Sequence, residues 1–320
     1  MEIEKIKPML SFLSDTKVFK EKDWTYEAKY DGTRCICYKQ GDKIKFLNRR
    51  GIWFEIRYPE LVEALKKFED DFIIDGEIIL FDKEGRPSFF ELTHREHISD
   101  KLRIELLSKS MPATYVVFDI LNLNSKSLVN LPLIERKKTL EKTIEDSERV
   151  KKSFYTEDGE LLWKNVKKLR LEGIVAKRKD SRYEIDTRSK NWLKIKVLKT
   201  LDCIICAYTS GEGKRKSYFG AFLCGAYYNR KLIYLGRVGT GWTESDMKNL
   251  LMVFKNLETN KNPFDEFEEE PKILKKIHWL KPVLVAEIEF MNLSEDLKMR
   301  APSFKRIRDD KSPNECYVEI

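Results

Sequence analysis

No apolar run in the 320 residues approaches the roughly 20 needed to cross a bilayer, so a membrane-spanning helix is excluded. The opening, Met1-Glu2-Ile3-Glu4-Lys5-Ile6-Lys7, is charged and lacks the apolar centre of a secretory signal. Internal repeats and low-complexity segments are absent as well. Cysteine is sparse, with six residues. Cys35 and Cys37 stand two apart on an expected strand, so they share a face and cannot easily pair with each other. Cys203-Ile204-Ile205-Cys206 has CxxC spacing but lies in an apolar, strand-like run. No second pair with zinc spacing accompanies it, so buried free thiols are expected rather than a metal site. These absences remove the membrane and secreted classes and leave a cytoplasmic, reducing setting.

Charge, by contrast, is abundant. Charged residues make up 36% of the chain, with 61 Lys and Arg against 53 Asp and Glu, a formal net charge of +8. The mixed signs suit a solvated globular surface. The positive excess favours a polyanionic partner, because basic side chains that neutralise phosphates release counterions. A basic protein without a nucleic-acid partner fits the charge equally well. The length points to two domains.

Strand-like runs at 26–38 and 43–47 are separated by Gln40-Gly41-Asp42, which has the composition of a hairpin turn. Residues 58–68 have helical spacing, with Leu61, Leu65 and Phe68 on one face. A strand pair or bent strand is expected at 72–81 around Asp75-Gly76. The nearly all-apolar run 115–121 predicts a buried strand. Helices are predicted at 133–144 and 160–169, and strands at 173–177 and 192–197. Near 198–201 the texture changes. Short strands at 203–208, 221–228 and 231–238 are divided by Gly-rich turns, then come a helix at 245–255 and a strand at 283–291. About five strands and one helix predict a small closed β-barrel of the oligonucleotide-binding (OB) type, with 209–217 as an exposed loop free to move.

The most informative stretch is Glu27-Ala28-Lys29-Tyr30-Asp31-Gly32-Thr33-Arg34. A lysine beside a tight Asp-Gly turn, followed by an arginine, can present an amine to a phosphate. As a nucleophile that amine must be neutral, which requires a depressed pKa; a metal ion or neighbouring lysines supply the depression. Alone, the stretch reads as a surface hairpin. It is followed by Asn48-Arg49-Arg50-Gly51, by Ile74-Asp75-Gly76-Glu77-Ile78, and by Tyr115-Val116-Val117-Phe118-Asp119-Ile120-Leu121. Further on come Glu172-Gly173-Ile174-Val175-Ala176-Lys177 and Trp192-Leu193-Lys194-Ile195-Lys196, in which Lys194 and Lys196 share one strand face. Near the end stand Arg300-Ala301-Pro302-Ser303-Phe304 and Arg308-Asp309-Asp310-Lys311.

This ordered series resembles the covalent nucleotidyltransferase superfamily of DNA ligases, RNA ligases and mRNA capping enzymes, over nearly the whole chain. Phe118-Asp119-Ile120-Leu121 followed by Leu131-Pro132-Leu133-Ile134-Glu135-Arg136-Lys137, and the ending from Arg300 to Lys311, resemble ATP-dependent DNA ligases. Phe219-Gly220-Ala221-Phe222 with Gly236-Arg237-Val238-Gly239-Thr240-Gly241 is similar to the small ligases of bacterial and archaeal end joining and repair. The resemblance implies an α+β fold: a nucleotidyltransferase (adenylation) domain of antiparallel sheets and helices over 1–198, followed by a small OB-fold β-barrel domain over 199–320.

The resemblance also implies roles. Lys29 carries AMP, with Asp31, Lys194 and Lys196 as its catalytic neighbours. Glu27 reads the adenine amino group, for which a carboxylate is a suitable acceptor. Arg34 and Glu77 contact ribose, and Arg49 lies near the nucleotide or the broken end. Phe118 stacks on the adenine ring, although a core phenylalanine in a buried strand would look the same. Glu172 binds Mg2+ (or Mn2+), with Glu77, and with Asp75 and Asp31 assisting through water. Lys177 is the cation of the Glu172 block and binds the nucleotide, and Lys194 and Lys196 hold the α-phosphate. Arg308 and Lys311, with Asp310, meet the β and γ phosphates of ATP. For each charged residue the rival is a surface ion pair.

The implied activity is ATP-dependent joining of nicked or broken double-stranded DNA in three steps, with the barrel closing for the first and swinging away afterwards. RNA joining by the same chemistry is the nearest alternative, followed by guanylyltransferase capping and by a non-catalytic DNA-binding scaffold. Only about 28 residues precede Lys29, too few for an additional helical DNA-binding domain. Grip on DNA is therefore expected from two domains, or from repair or end-joining partner proteins. A monomer in a prokaryotic or viral setting is the default.

Overall fold

The computed structural model describes residues 5–81, 87–169 and 171–318; the charged opening at 1–4 lies outside them. The chain divides after Val197 into two compact units. No described helix is long and apolar enough to cross a membrane.

The first unit runs β1 (Leu10–Leu13), β2 (Trp24–Lys29), β3 (Thr33–Gln40), β4 (Lys43–Asn48), α1 (Pro59–Lys66), β5 (Phe72–Ile79), α2 (Phe89–Glu96), α3 (Lys101–Ser110), β6 (Thr114–Leu123) and β7 (Lys126–Ser127). It continues with α4 (Leu133–Thr143), β8 (Val150–Lys152), β9 (Tyr155–Thr156), α5 (Gly159–Lys168), β10 (Gly173–Arg178) and β11 (Arg188–Lys196). Two sheets result, one ordered β1-β11-β10-β2-β9 and the other β4-β3-β5-β6-β7 with β8 beside β6. Only the β1–β11 and β6–β8 ladders are parallel.

The run 26–38, read from sequence as one strand-like stretch, is two strands in different sheets. The break falls at Tyr30-Asp31-Gly32. A Cβ on Gly32 would stand 2.3 Å from the Ile78 carbonyl oxygen, so glycine is required there by close approach to β5. Of the two alternatives for 72–81, the bent strand holds: β5 is one strand, and its ladder to β6 shifts register between Asp75 and Gly76. Helices α2 and α3 and strand β1 had no counterpart in the sequence reading. β1 is only four residues long, and of the four apolar residues of α3 only Ile104 is buried.

Alternation decides what each strand offers. On β2, Trp24, Tyr26 and Ala28 pack with Ile174 and Ala176 of β10, Ile195 of β11, and Leu162 and Val166 of α5. Glu27, Lys29, Val175, Lys177, Trp192 and Lys194, on the alternate positions, face a cavity.

The second unit runs β12 (Lys199–Ser210), β13 (Phe219–Tyr228), β14 (Lys231–Val238), α6 (Glu244–Leu257), β15 (Glu258–Thr259), α7 (Pro271–Leu274), β16 (Ile277–Phe290) and β17 (Ser303–Ile307). The antiparallel order is β14-β13-β12-β16-β15, with β17 also on β16. Phe304 N donates to Thr240 O at 2.9 Å, and Met299 N to Leu235 O at 2.7 Å, so the far end of β14 meets the β17 segment through single bonds rather than a ladder. A Cβ on Gly241, which sits at φ +101, would stand 2.2 Å from the Phe304 carbonyl oxygen. Residues 209–217 are more ordered than expected. Thr209 and Ser210 extend β12, and Arg215 Nη1 donates to the carbonyls of Gly220 and Gly239 at 3.3 and 3.0 Å.

All six cysteines are buried free thiols. Among the described residues no set of three His, Cys, Asp or Glu is arranged to hold a metal.

Candidate active site

The cavity lies within the first unit, between its two sheets, and encloses about 190 Å3. One sheet contributes Glu27, Lys29, Val175, Lys177, Arg188, Trp192 and Lys194, and the other Arg34, Glu77 and Phe118; Arg49 and Tyr30 complete the wall.

Lys29 ends β2, opposite Gly173 in the β10 ladder, which brings it beside Glu172. Its Nζ lies 2.5 Å from Glu172 Oε2, while Lys196 Nζ lies 3.1 Å from Glu172 Oε1. One carboxylate therefore serves two ammonium groups. Lys194, two residues before Lys196, is held below its ordinary pKa by burial and then by the charges of Lys196, Arg188 and Lys29. That crowding of cations is the condition under which an amine gives up its proton.

Glu27 lies deeper, with 2% of its surface exposed, and is neither a surface residue nor one half of a simple pair. Its Oε1 is 2.7 Å from Lys137 Nζ and 2.8 Å from Lys177 Nζ. Burial alone would raise the Glu27 pKa; Lys137 and Lys177 outweigh it and hold the carboxyl below its usual value. Burial pulls Lys177 down to about 8 in spite of Glu27. Lys177 Nζ also stands 4.2 Å from the Phe118 ring centroid and 4.4 Å from that of Trp192.

Phe118 is half-buried and lines the cavity, with the Arg34 guanidinium 4.5 Å from its centroid. Arg34 is locked to Asp75 by two hydrogen bonds of 2.6 and 2.7 Å, and Tyr183 Oη donates to the same carboxylate at 2.6 Å. This corrects the role expected of Asp75: fully buried and saturated by an arginine and a tyrosine, it positions Arg34 and is not free to assist a cation through water. Glu77 is pushed up to about 7 by burial, against the pull of Arg34 and Lys29 and with help from Asp75 and Glu172.

The cavity thus gathers Lys29, Glu27, Arg34, Arg49, Glu77, Phe118, Lys177 and Lys194. Lys196 and Glu172 adjoin it through Lys29. Asp31 lies in the β2–β3 turn beside Lys29 and is not part of the lining. Arg308 and Lys311 belong to the second unit, where both pair with Asp202 at 2.8 and 2.7 Å; Asp310 also holds Arg308 and is itself pulled down to about 2.

The family model of the ATP dependent DNA ligase domain matches residues 7–196, and that of the ATP dependent DNA ligase C terminal region matches residues 215–311. The chain belongs to the ATP-dependent DNA ligase family. It is 31% identical over 318 residues to the multifunctional non-homologous end joining protein LigD of Mycolicibacterium smegmatis, covering 99% of this chain and 40% of that protein. It is 32% identical over 307 residues to a DNA ligase of Thermococcus fumicolans, covering 91% of this chain and 53% of that one. The chain therefore spans about half, or less, of the length of these relatives. The crystal structure of the ligase domain of M. tuberculosis LigD superposes with a TM-score of 0.56 at 28% identity, covering both chains fully.

Within this ligase fold, two residues of the cavity region escaped the sequence reading. Trp192 was quoted only as part of a motif, and its ring walls the cavity beside Lys177. Lys137 reaches Glu27 from α4, more than a hundred residues away in sequence. The only sequence signal for it was the Leu131–Lys137 block, which marks the family without naming a function. Its neighbour Arg136 is fully buried with Asp119, through bonds of 2.8 and 2.9 Å. That pair fixes α4 against β6.

A divalent cation fits this site in a limited way. Glu172 is the carboxylate in reach of Lys29, and Glu77 is electrostatically coupled to it. Magnesium keeps several waters and takes phosphate oxygens, so one or two carboxylates suffice. The elevated Glu77 pKa marks a spot where added positive charge would be favourable.

Proposed function

We propose that this chain joins breaks in double-stranded DNA, using ATP to form an AMP adduct on Lys29. The observation that carries this is the placement of Lys29 in a cavity with a carboxylate and an aromatic ring suited to adenine on its walls and a second carboxylate, Glu172, against its amine. The adenylation domain corresponds to residues 1–198 and the OB-fold domain to 199–320.

At rest the Lys29 ammonium is tied to Glu172. Mg2+, when bound by Glu172 with Glu77, neutralises phosphate oxygens. Lys196 shares Glu172 with Lys29, and Lys194 lines the same cavity. The Lys29 amine then attacks the α-phosphorus: an N–P bond forms and the bond to pyrophosphate breaks. Positioning and charge neutralisation dominate such a step. Glu27 accepts from the adenine amino group, Phe118 supplies a ring face, and Arg34, Arg49 and Glu77 serve the ribose and its surroundings. Lys177, Lys194 and Lys196 hold phosphate, Asp31 supports the Lys29 turn, and Arg308 and Lys311 act on the departing pyrophosphate. AMP then passes to a DNA 5′-phosphate, and a 3′-hydroxyl displaces it to close the strand.

The family models are those of DNA ligases and the Thermococcus relative is named a DNA ligase, which favours DNA over RNA as the substrate. Service in end joining follows the name of the LigD relative. The test is incubation with α-labelled ATP and Mg2+, a denaturing gel, and a chase with nicked DNA. Label that binds protein and leaves as the nick closes is expected. Label that chases only onto nicked RNA, or that comes only from GTP, overturns the reading. Freshly purified enzyme is first stripped with pyrophosphate so that pre-existing adenylate does not mask the signal.

A further inference from the structure

Lys137 is a buried cation with no access to the cavity. It is 1% exposed, emerges from α4, and is not among the lining residues. Its Nζ lies 2.7 Å from Glu27 Oε1 and 5.0 Å from the centroid of Tyr155, the residue paired with Glu27 across the β2–β9 ladder. Neither the Lys29 chemistry nor the phosphate contacts need it there. Burying an ammonium is costly, and such a group is retained where its partner needs it.

The partner's need is visible in its own surroundings. Glu27 is almost fully buried, and desolvation would protonate an isolated carboxyl there. Two ammonium groups converge on Oε1 at ion-pair distance, yet neither Glu27 Oε1 nor Lys137 Nζ has a partner at good hydrogen-bonding angles. The attraction is thus mainly one of charge. A carboxylate kept ionised can only accept. It welcomes a 6-amino purine, which donates, and repels a 6-oxo purine, which presents an oxygen at the same place. A protonated carboxyl can donate to that oxygen, and the distinction fades.

Resting on the assignment of Glu27 to the adenine edge, we infer that Lys137 is a positioning residue that keeps Glu27 ionised and thereby sets the preference for 6-amino over 6-oxo purine triphosphates. Lys177 cannot do this alone, because it also faces the cavity and lies over Phe118 and Trp192, where it meets the nucleotide. Lys137, shut away behind Glu27 and anchored on a helix held by the Arg136–Asp119 pair, has a fixed distance whatever occupies the cavity.

The experiment measures covalent labelling of the full chain by ATP and by ITP, with KM and kcat determined separately, for wild type, Lys137→Met and Lys137→Arg. Sealing of a pre-adenylylated nick is measured in parallel. Lys137→Met should move the ATP-to-ITP ratio of kcat/KM toward ITP by roughly tenfold or more, the scale on which one nearby opposite charge shifts a carboxyl's protonation. The change should lie mainly in KM. Lys137→Arg should retain most of the wild-type ratio, and sealing of the pre-adenylylated nick should be unaffected in both. A ratio unchanged in a folded Lys137→Met protein overturns the inference. So does a loss that is equal for ATP and ITP, which marks a purely structural role. If the methionine variant does not fold, Lys137→Gln, which removes the charge and keeps a polar donor, is read by the same two criteria. Wild-type protein that takes no label from ATP would instead refute the parent reading, so the two failures are distinguishable.

Discussion

The two units handle charge in opposite ways. In the first, Arg136 and Asp119 are wholly buried, Glu27 sits between two buried lysines, and Asp75 is sealed beneath Arg34 and Tyr183. In the second, Arg308 and Asp202 are half-buried, but their network reaches the surface through Lys311 and through Asp310, which is more than half exposed. Buried charges hold one geometry, because moving either partner strands the other in a low-dielectric interior. Exposed charges exchange partners at little cost. A nucleotide cavity requires the first arrangement. Groups that act in a single step of a reaction and then release are better served by the second.

The largest effect that separates the units is chemical. Lys29→Ala should reduce enzyme–AMP formation below detection while leaving sealing of pre-adenylylated nicks measurable; persistent labelling of the variant would remove Lys29 as the nucleophile. Next is stability in the first unit. Arg136→Met leaves Asp119 buried without its cation, with only the Ile120 N–H still donating to it, and should cost about 3–5 kcal/mol, read from urea unfolding. A loss under about 1 kcal/mol would mean that water or another group rescues the carboxylate.

In the second unit, Arg308→Ala should leave the unfolding transition in place and slow adenylylation by roughly tenfold or more, the scale of one lost charge contact to a reacting phosphate. Sealing of pre-adenylylated nicks should suffer less, and equal losses in both assays would contradict a role confined to the first step. A smaller effect follows from Glu77. Its folded pKa of about 7 exceeds the ordinary 4.5, so the folded state binds more protons than the unfolded state between those values. Stability should therefore be greatest below that window, fall as pH rises through it, and level off above about pH 7. Glu77→Gln should flatten this slope, and an unchanged slope would assign it elsewhere. Smallest of all, Arg306→Ala breaks a pair with Glu287 in which the arginine is 60% exposed, and should change stability by no more than about 0.5 kcal/mol.

Legibility in the sequence tracked local periodicity. Helices α1, α4 and α5 and strands β12, β13 and β14 of the second unit follow apolar spacing closely, because a helix or strand with one buried face must repeat apolar residues at its own period. Helix α3 failed that test by burying one residue, Ile104. The split of 26–38 into two sheets was illegible because Asp31-Gly32 reads as an ordinary turn, while the requirement for glycine comes from β5, more than forty residues away. The same limit applied to the cavity. Lys29 and Glu27 stand in a recognisable block. The saturation of Asp75, and the reach of Lys137 to Glu27, depend on contacts between elements distant in sequence.

Alone, the sequence determined the family, the order of its motifs and the faces of most strands, since each rests on residue identity and short-range spacing. Tertiary structure decided which charges became buried and who holds them. A carboxylate's burial and partners belong to the packed ensemble of strands and helices around it, and no period within one segment records them.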